Sequence, residues 1–337
     1  MIILKDGSVE PWLSDELSNI PGNHHIIGSE KLSKKKIRKS SRIKRIFIQH
    51  FDYIKIAIKG LKVVKTNDTI VCLLDIIGVY VLILSFISFK RNKILLINIM
   101  VNNDNSFISF LKIKIYRKIL SNKNVFGVVN TFRLREYYKK TLKFDTNRIF
   151  LLKDSYTKYS YLQKNIRVNE GYVFVGGSNA RDWEMVYNVA KKIPNQKFVV
   201  VSPKTNENLR SLKNVKLFTN VNIDVFIKLL SSSSICWLPL TTQSAAGIIV
   251  LLQSALLKKP IITTSNIVMC DYVNDNVDGL LHDMGNIDLA IEQINKLNNS
   301  NHIYNEYSQK MFHKVLNENN PSKYLSELYV IYKKTLK

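Results

Sequence analysis

The sequence predicts an α/β protein made of two Rossmann-like halves. Short apolar runs alternate with helix-period segments through both halves, and a polar stretch without periodicity separates them. The first apolar run of the second half ends in two glycines, Gly176-Gly177. Strands alternating with helices imply a parallel sheet covered on both faces.

In the first half, Ile2–Leu4 is a short apolar start, and a polar stretch marked by Pro11, Pro21 and Gly22 leads to a predicted strand at His25–Ile27. A basic run over 31–65 threads Ile, Phe and Tyr among its lysines and arginines. The pattern then predicts strands at 70–74, 94–100, 125–129 and 149–152. The helices between them fall at 78–88, 106–120 (capped by Ser106) and 133–142. The apolar stretch 70–89 has about the length a bilayer core requires. Asp75 and Gly78 interrupt it, so a buried strand, a loop and a buried helix are expected rather than a membrane span.

Residues 155–170 are polar and read as a linker. The expected domains are 1–155, 156–320 and a C-terminal helix over 321–337. In the second half, strands are expected at 172–175, 197–201, 215–218, 235–239, 260–264 and 279–281. Helices are expected at 182–192, 223–231, 246–257 and 287–297. Ligands in such sheets sit beyond the carboxyl ends of the strands.

A chain of 337 residues has room for two cores. Its 46% hydrophobic and 23% charged content excludes wholesale disorder. The formal net charge of +24 favours polyanionic neighbours: nucleic acid, an anionic membrane face or phosphorylated substrates. Lys, Ile and Asn are abundant through much of the chain, and a coding bias toward them is the alternative source of part of that charge. Cys72, Cys236 and Cys270 are far apart and form neither a disulfide framework nor a zinc pattern. Cys72 and Cys236 lie in apolar runs and read as buried thiols, in a reducing compartment. No apolar segment follows a basic start, so no secretory leader is expected.

The stretch Tyr172 to Glu184, YVFVGGSNARDWE, runs a buried strand into Gly176 and Gly177, a polar loop, Arg181 and a helix. Glycines let backbone approach a ligand, and a helix N-terminus offers free N–H groups and a positive dipole end. Arg181 adds a forked cation suited to a diphosphate. An ordinary tight turn with a surface arginine reads the same way. In a second stretch, a strand end at Pro239 leads through Ser244, Ala245, Ala246 and Gly247 into an apolar helix bearing one polar residue, Gln253. Small residues there leave room for an anion on bare N–H groups. Gln253 is either within reach of a hydroxyl at the sheet edge or on the exposed side of the helix.

The region from about Gly171 to Leu281 resembles the nucleotide-sugar-binding half of GT-B glycosyltransferases, and is most similar to the family 4-like enzymes of bacterial surface glycans. The resemblance rests on Gly176, Gly177, Arg181, Pro239, Gly247, Gln253 and Lys259-Pro260, with Asp271-Tyr272-Val273 and Asp278-Gly279-Leu280-Leu281 as the later turn. It implies a GT-B fold, two Rossmann-like domains with a cleft between them. Two glutamates fill the positions of Ala245 and Gln253 in many relatives, the first linked to the donor sugar and the second to the ribose. Gln253 retains a ribose hydrogen bond; Ala245 cannot replace a carboxylate. Transfer would then rely on backbone amides of 245–247, or the chain is a non-catalytic partner subunit of another transferase.

The resemblance further implies a nucleotide-sugar donor, a glycan or lipid-linked acceptor, and no other cofactor. Arg181 and amides near Gly177 and Gly247 would stabilise the leaving phosphate. Lys204 is either a second cation there or a solvated lysine. Asp75 sits where an acceptor-side group belongs, or caps the helix that follows it; Asn102 and Asn103 are similarly placed, and His50 reads as a surface histidine. No D-x-D signature lies in a sheet context, so no metal is expected. The basic run, beginning with Lys34-Lys35-Lys36-Ile37-Arg38-Lys39, is either a segment lying on an anionic membrane or a helix packed on the sheet. Nucleic-acid binding lacks a motif. The expected location is cytoplasmic and peripheral, on the inner face of the cell membrane.

Overall fold

The computed structural model describes the chain except residues 8, 10, 29–41, 66, 67, 100, 102–106, 158, 244 and 337. Ser244, Asn102, Asn103, Ser106 and the lysines at 34–39 therefore lie outside the described residues. The chain forms two compact units: Met1–Lys153 with Pro321–Lys337, and Asp154–Asn320.

The first unit contains β1 (Ile2–Leu4), α1 (Pro11–Ser18), β2 (His25–Ile27), α2 (Arg42–Val63), β3 (Thr69–Cys72), α3 (Asp75–Ile87) and β4 (Lys93–Leu96). It continues with α4 (Phe107–Ser121), β5 (Val125–Val129), α5 (Phe132–Leu142) and β6 (Ile149–Leu151). The strands are parallel in the order β2-β1-β3-β4-β5-β6. Alternate strand residues divide the faces, as a pleat requires. Ile3, Val71, Leu95 and Val128 meet α1 and the C-terminal helix through Leu13, Leu17, Leu325 and Leu328. On the opposite face Leu4 and Leu96 meet α2 and α3 at two glycines. A Cβ at Gly60 would lie 2.9 Å from Leu4, and one at Gly78 2.0 Å from Leu96.

Gly78 thus lies inside α3 rather than opening it. The helix starts at Asp75, and the missing side chain lets it press against β4. The interrupted stretch 70–89 resolves into β3 and α3, and no described helix is long and apolar enough to cross a membrane. Gly78→Ala will destabilise the protein by about 1–3 kcal/mol, outweighing the roughly 1 kcal/mol that alanine gains in a helix. Urea unfolding measures this; an unchanged midpoint would mean Leu96 repacks freely.

The second unit contains α6 (Tyr159–Gln163), β7 (Val173–Gly176), α7 (Trp183–Lys192), β8 (Phe198–Ser202), α8 (Glu207–Arg210), β9 (Val215–Thr219) and α9 (Ile223–Ser231). It continues with β10 (Ile235–Leu238), α10 (Ile248–Leu256), β11 (Ile261–Thr264), α11 (Met269–Tyr272), β12 (Leu280–His282), α12 (Ile287–Asn299) and α13 (Asn301–Glu318). Its sheet is also parallel, in the order β12-β11-β10-β7-β8-β9. Val173, Val175, Phe198, Trp237 and Ile262 form its core with α7 and α12.

The stretch expected to be a linker carries α6, and the whole of α13 went unpredicted because polar residues such as Asn301, His302, Asn305 and Glu306 dilute its apolar period. The last helix, α14 (Pro321–Leu336), packs within the first unit. Leu325, Leu328, Ile331 and Tyr332 are buried there, Thr335 Oγ1 lies 2.9 Å from Thr69 Oγ1, and the Tyr332 hydroxyl donates to Asp68 at 2.8 Å.

In the second unit His282 is buried at the end of β12. Trp237 Nε1 donates to its Nε2 at 3.0 Å, so Nδ1 carries the proton and donates to the Asp283 carbonyl at 2.9 Å. Burial lowers its pKa from 6.5. The unfolded chain therefore takes up the proton first. The contribution of His282 is complete above 6.5 and declines as pH falls below it toward the folded value. The melting temperature should drop between pH 7.5 and 5.5, and His282→Gln should flatten that slope; an equal slope in the variant would refute the assignment.

Candidate functional site

The order of the second sheet reverses between β7 and β10. From β7 the chain winds outward to β8 and β9, then returns to β10 and winds the other way to β11 and β12. Loops leaving two such strands diverge over opposite faces and open a crevice at the carboxyl edge. The loops here are 177–182 after β7 and 239–247 after β10, the two stretches singled out in the sequence. They are stitched at the base: Asp182 N–H donates to the Pro239 carbonyl at 3.0 Å, and Thr241 N–H to the Ala180 carbonyl at 3.0 Å.

Arg181 lies between them and is 6% exposed. Its Nε donates to the Gly176 carbonyl at 2.8 Å and its Nη1 to the Asn179 carbonyl at 3.0 Å. The Nη2 group has no protein partner among the described residues, and no carboxylate there pairs with the guanidinium. Burial lowers its pKa from 12.5 to about 10, a penalty of about 3 kcal/mol on the charged form. Both loops bare their backbone over this cation. A Cβ at Gly177 would lie 2.6 Å from Nη2, and one at Gly247 3.4 Å from Nη1. Gly177 has φ +128 and Gly247 φ +83, conformations L side chains rarely adopt. The arginine is thus a buried, fixed charge rather than the mobile surface side chain of an ordinary turn.

The two helix N-termini differ. In α7 the Asp182 carboxylate accepts from Met185 N–H at 2.9 Å, so that end is capped by its own acid and not open to an anion. In α10 Gly247 is the cap residue, and among the described residues no side chain caps the first-turn amides, the arrangement that suits an anion. The helix starts at Ile248, two residues later than the pattern predicts, because Gly247 takes the left-handed conformation.

Gly176 belongs to the core. A Cβ there would lie 2.5 Å from the Phe174 ring and 2.8 Å from Phe226, and its functional contribution is the carbonyl that holds Arg181. Ala245 is half-buried, Ala246 is buried and Gln253 is half-buried on α10. Lys204 is exposed two residues past β8, whose register with β7 puts that loop on the same edge as Arg181. Lys259 precedes β11, at the opposite edge; it is buried and its pKa falls to about 8 through desolvation. Asp278 accepts from Asn274 N–H at 2.8 Å and pairs with Lys314 at 2.7 Å, which makes it a turn former.

Several residues that sequence reasoning missed hold the second loop. Thr264 Oγ1 accepts from Leu240 N–H at 2.8 Å. Asn266, 3% exposed, donates to the Thr242 carbonyl at 2.9 Å and accepts from Val268 and Met269 N–H at 2.9 and 2.7 Å. The only signal was an Asn two residues past a strand, before an apolar pair. Met269, which opens α11, places its methyl 3.1 Å from where a Gly247 Cβ would be. Tyr272, which closes that helix, donates to Asp154 Oδ2 at 2.7 Å and accepts from Asp154 N–H at 3.1 Å. Asn319 donates to the Asp154 carbonyl at 2.6 Å.

In the first unit, Asp75 opens α3 at that sheet's own reversal point, between β1 and β3. It is 5% exposed, accepts from Ile76 N–H at 2.7 Å and from the Tyr116 hydroxyl at 2.6 Å. Those bonds fix it in the first turn of α3, whose cap residue Leu74 makes no side-chain hydrogen bond, and tie α3 to α4. His50 is half-buried, and its Nδ1 lies 2.7 Å from the Tyr80 hydroxyl, joining α2 to α3. Among the described residues no group of three or more His, Cys, Asp or Glu is placed to hold a metal ion.

Residues 171–300 match the family model described as glycosyl transferases group 1, which includes both loops around Arg181. No curated protein sequence matches the chain. Among solved structures, a glycosyltransferase from Rickettsia africae is 17% identical with a TM-score of 0.69, over 100% of this chain and 98% of that one. Sucrose-phosphate synthase from Thermosynechococcus elongatus is 9% identical with a TM-score of 0.75, over 99% and 98%. HepE from Anabaena, crystallised with UDP-glucose, is 12% identical with a TM-score of 0.70, over 99% and 100%. At these identities the likeness shows the fold, which is the GT-B fold of two Rossmann-like units.

Proposed function

We propose that the chain is a metal-independent glycosyltransferase that moves a hexose from a nucleotide-sugar donor to a glycan or lipid-linked acceptor. Its setting is bacterial surface polysaccharide (capsule) synthesis at the inner face of the cell membrane. The observation that carries this reading is Arg181, a buried guanidinium without a carboxylate, roofed by two glycines at the reversal point of the sheet. The family match over the same residues supports it.

Cleavage of a sugar–diphosphate bond leaves negative charge on the phosphate, and preorganised donors at that point lower the barrier. Arg181 Nη2 and the open amides of α10 are the donors this chain supplies. Lys204, on the same edge, adds a mobile cation to the outer phosphate, and Gln253 a hydrogen bond to the ribose. Ala245 supplies no acid, so charge stabilisation falls on the arginine and the backbone. That same absence favours the second reading, a non-catalytic partner subunit that binds the donor and leaves transfer to another protein.

Calorimetric titration with UDP, GDP and UDP-glucose tests the donor site; no binding of any of them would refute both readings. Transfer from a labelled nucleotide sugar to membrane extracts separates the two: binding without transfer leaves the partner-subunit reading.

A further inference from the structure

Helix α2 has two apolar faces. One, with Ile56, Ala57, Gly60 and Leu61, is buried against the sheet and α3. The other is exposed and runs at helical spacing through Phe47, Phe51, Lys55, Ile58 and Lys62. Folding needs only the first. Lys55 holds its amine 4.5 Å over the Phe51 ring, so aromatic and cation share this face. The neighbouring α3 is bound to α2 by the His50–Tyr80 contact and by Lys90 donating to the Leu61 carbonyl. It ends in Phe86 and Ile87, 85% and 67% exposed, and Phe89 follows at 93%. On α4, in the same helical layer, exposed Phe110 carries Lys114 over its ring at 4.7 Å.

We propose that the outward face of α2 and α3 is a docking surface for a bilayer leaflet of anionic lipid. It deepens the membrane-surface part of the proposed function by assigning the residues. Charge selects this occupant. Lys44, Lys55, Lys59 and Lys62 are exposed on α2 against a single acid, Asp52, and α4 has Lys112, Lys114, Arg117 and Lys118 with none. Lysine is depleted where proteins bury surface against each other. Lysines spaced between aromatic and branched side chains suit headgroups above and acyl chains below. The part of the basic run that forms α2 therefore contributes, and Phe86 of α3 with Phe89 just after it, outside that run, complete the surface.

The test is sedimentation of the full chain with vesicles of phosphatidylglycerol and phosphatidylcholine, or of phosphatidylcholine alone. Binding to the anionic vesicles only, weakened by salt, is expected. Phe86→Ser with Phe89→Ser, both largely exposed, should weaken it at least about tenfold, as should Lys55→Glu with Lys62→Glu. UDP titration of each variant reports that the chain is folded and should be unchanged. Equal binding to neutral vesicles, no binding by the wild type, or binding unaffected by both double variants would overturn the proposal. So would a wild-type dimer, seen by analytical ultracentrifugation, that Phe86→Ser with Phe89→Ser disperses. Vesicle binding by a protein that ignores every nucleotide would instead refute the donor reading and leave this surface standing.

Discussion

Arg181→Met should reduce UDP affinity by about a hundredfold or more, the loss of a charge-assisted contact made inside a desolvated site. Burial lowers the pKa of this cation from 12.5 to about 10, and a bound diphosphate would relieve that penalty. Ligand should therefore raise the melting temperature of the wild type and leave that of Arg181→Met almost unchanged. Arg181→Lys keeps the charge but not the fork that reaches both the Gly176 and Asn179 carbonyls, and should recover only part of the affinity. Calorimetry on the three proteins checks this. Wild-type affinity in Arg181→Met would show that the anion sits elsewhere and remove the main support for the donor site.

Gly177→Ala should have a comparable effect on binding without touching a charge. The new methyl carbon would lie 2.6 Å from Arg181 Nη2, on a backbone with φ +128. Either the guanidinium is displaced or the loop changes conformation, and a stability loss of about 1–3 kcal/mol is expected from strain alone. Gly171→Ala is the control. It has φ +73 but nothing within 4 Å of the added carbon, so it should cost about 1 kcal/mol and leave UDP binding intact. Chemical unfolding read beside calorimetry separates the two effects. A Gly177→Ala protein that binds UDP normally would mean Arg181 is not fixed by its glycine roof.

The alternation of apolar runs and helices was enough to expect two parallel sheets, because strands buried on both faces need no polar residues. Ile235–Leu238 and Ile223–Ser231 show how strongly such periods are marked. α13 was illegible for the opposite reason: it is polar over much of its surface and is held by tertiary packing of Tyr307, Met311 and Val315. At the site, glycines, Arg181 and the small-residue loop were visible as residue types, whereas their division of labour was not. That Gly176 serves the Phe174 ring while Gly177 serves the guanidinium depends on which way one peptide turns. Asp182 and Gly247 both precede helices, and only the fold shows that Asp182 caps its helix end while no described side chain caps the other. Asp75 was expected in a loop after a strand but opens a helix, and its partner Tyr116 lies 41 residues away, beyond any local pattern.

The four residues of α11 touch the Gly247 loop at Met269 and the Asp154–Asn319 knot at Tyr272. Asp154 and Asn319 stand where the chain enters and leaves the second unit. The backbone at both crossings is thus linked through α11 to the Gly247 loop, and a diphosphate bound there, as proposed, should change amide exchange at Tyr156, whose N–H is held by the Asn319 carbonyl at 2.9 Å.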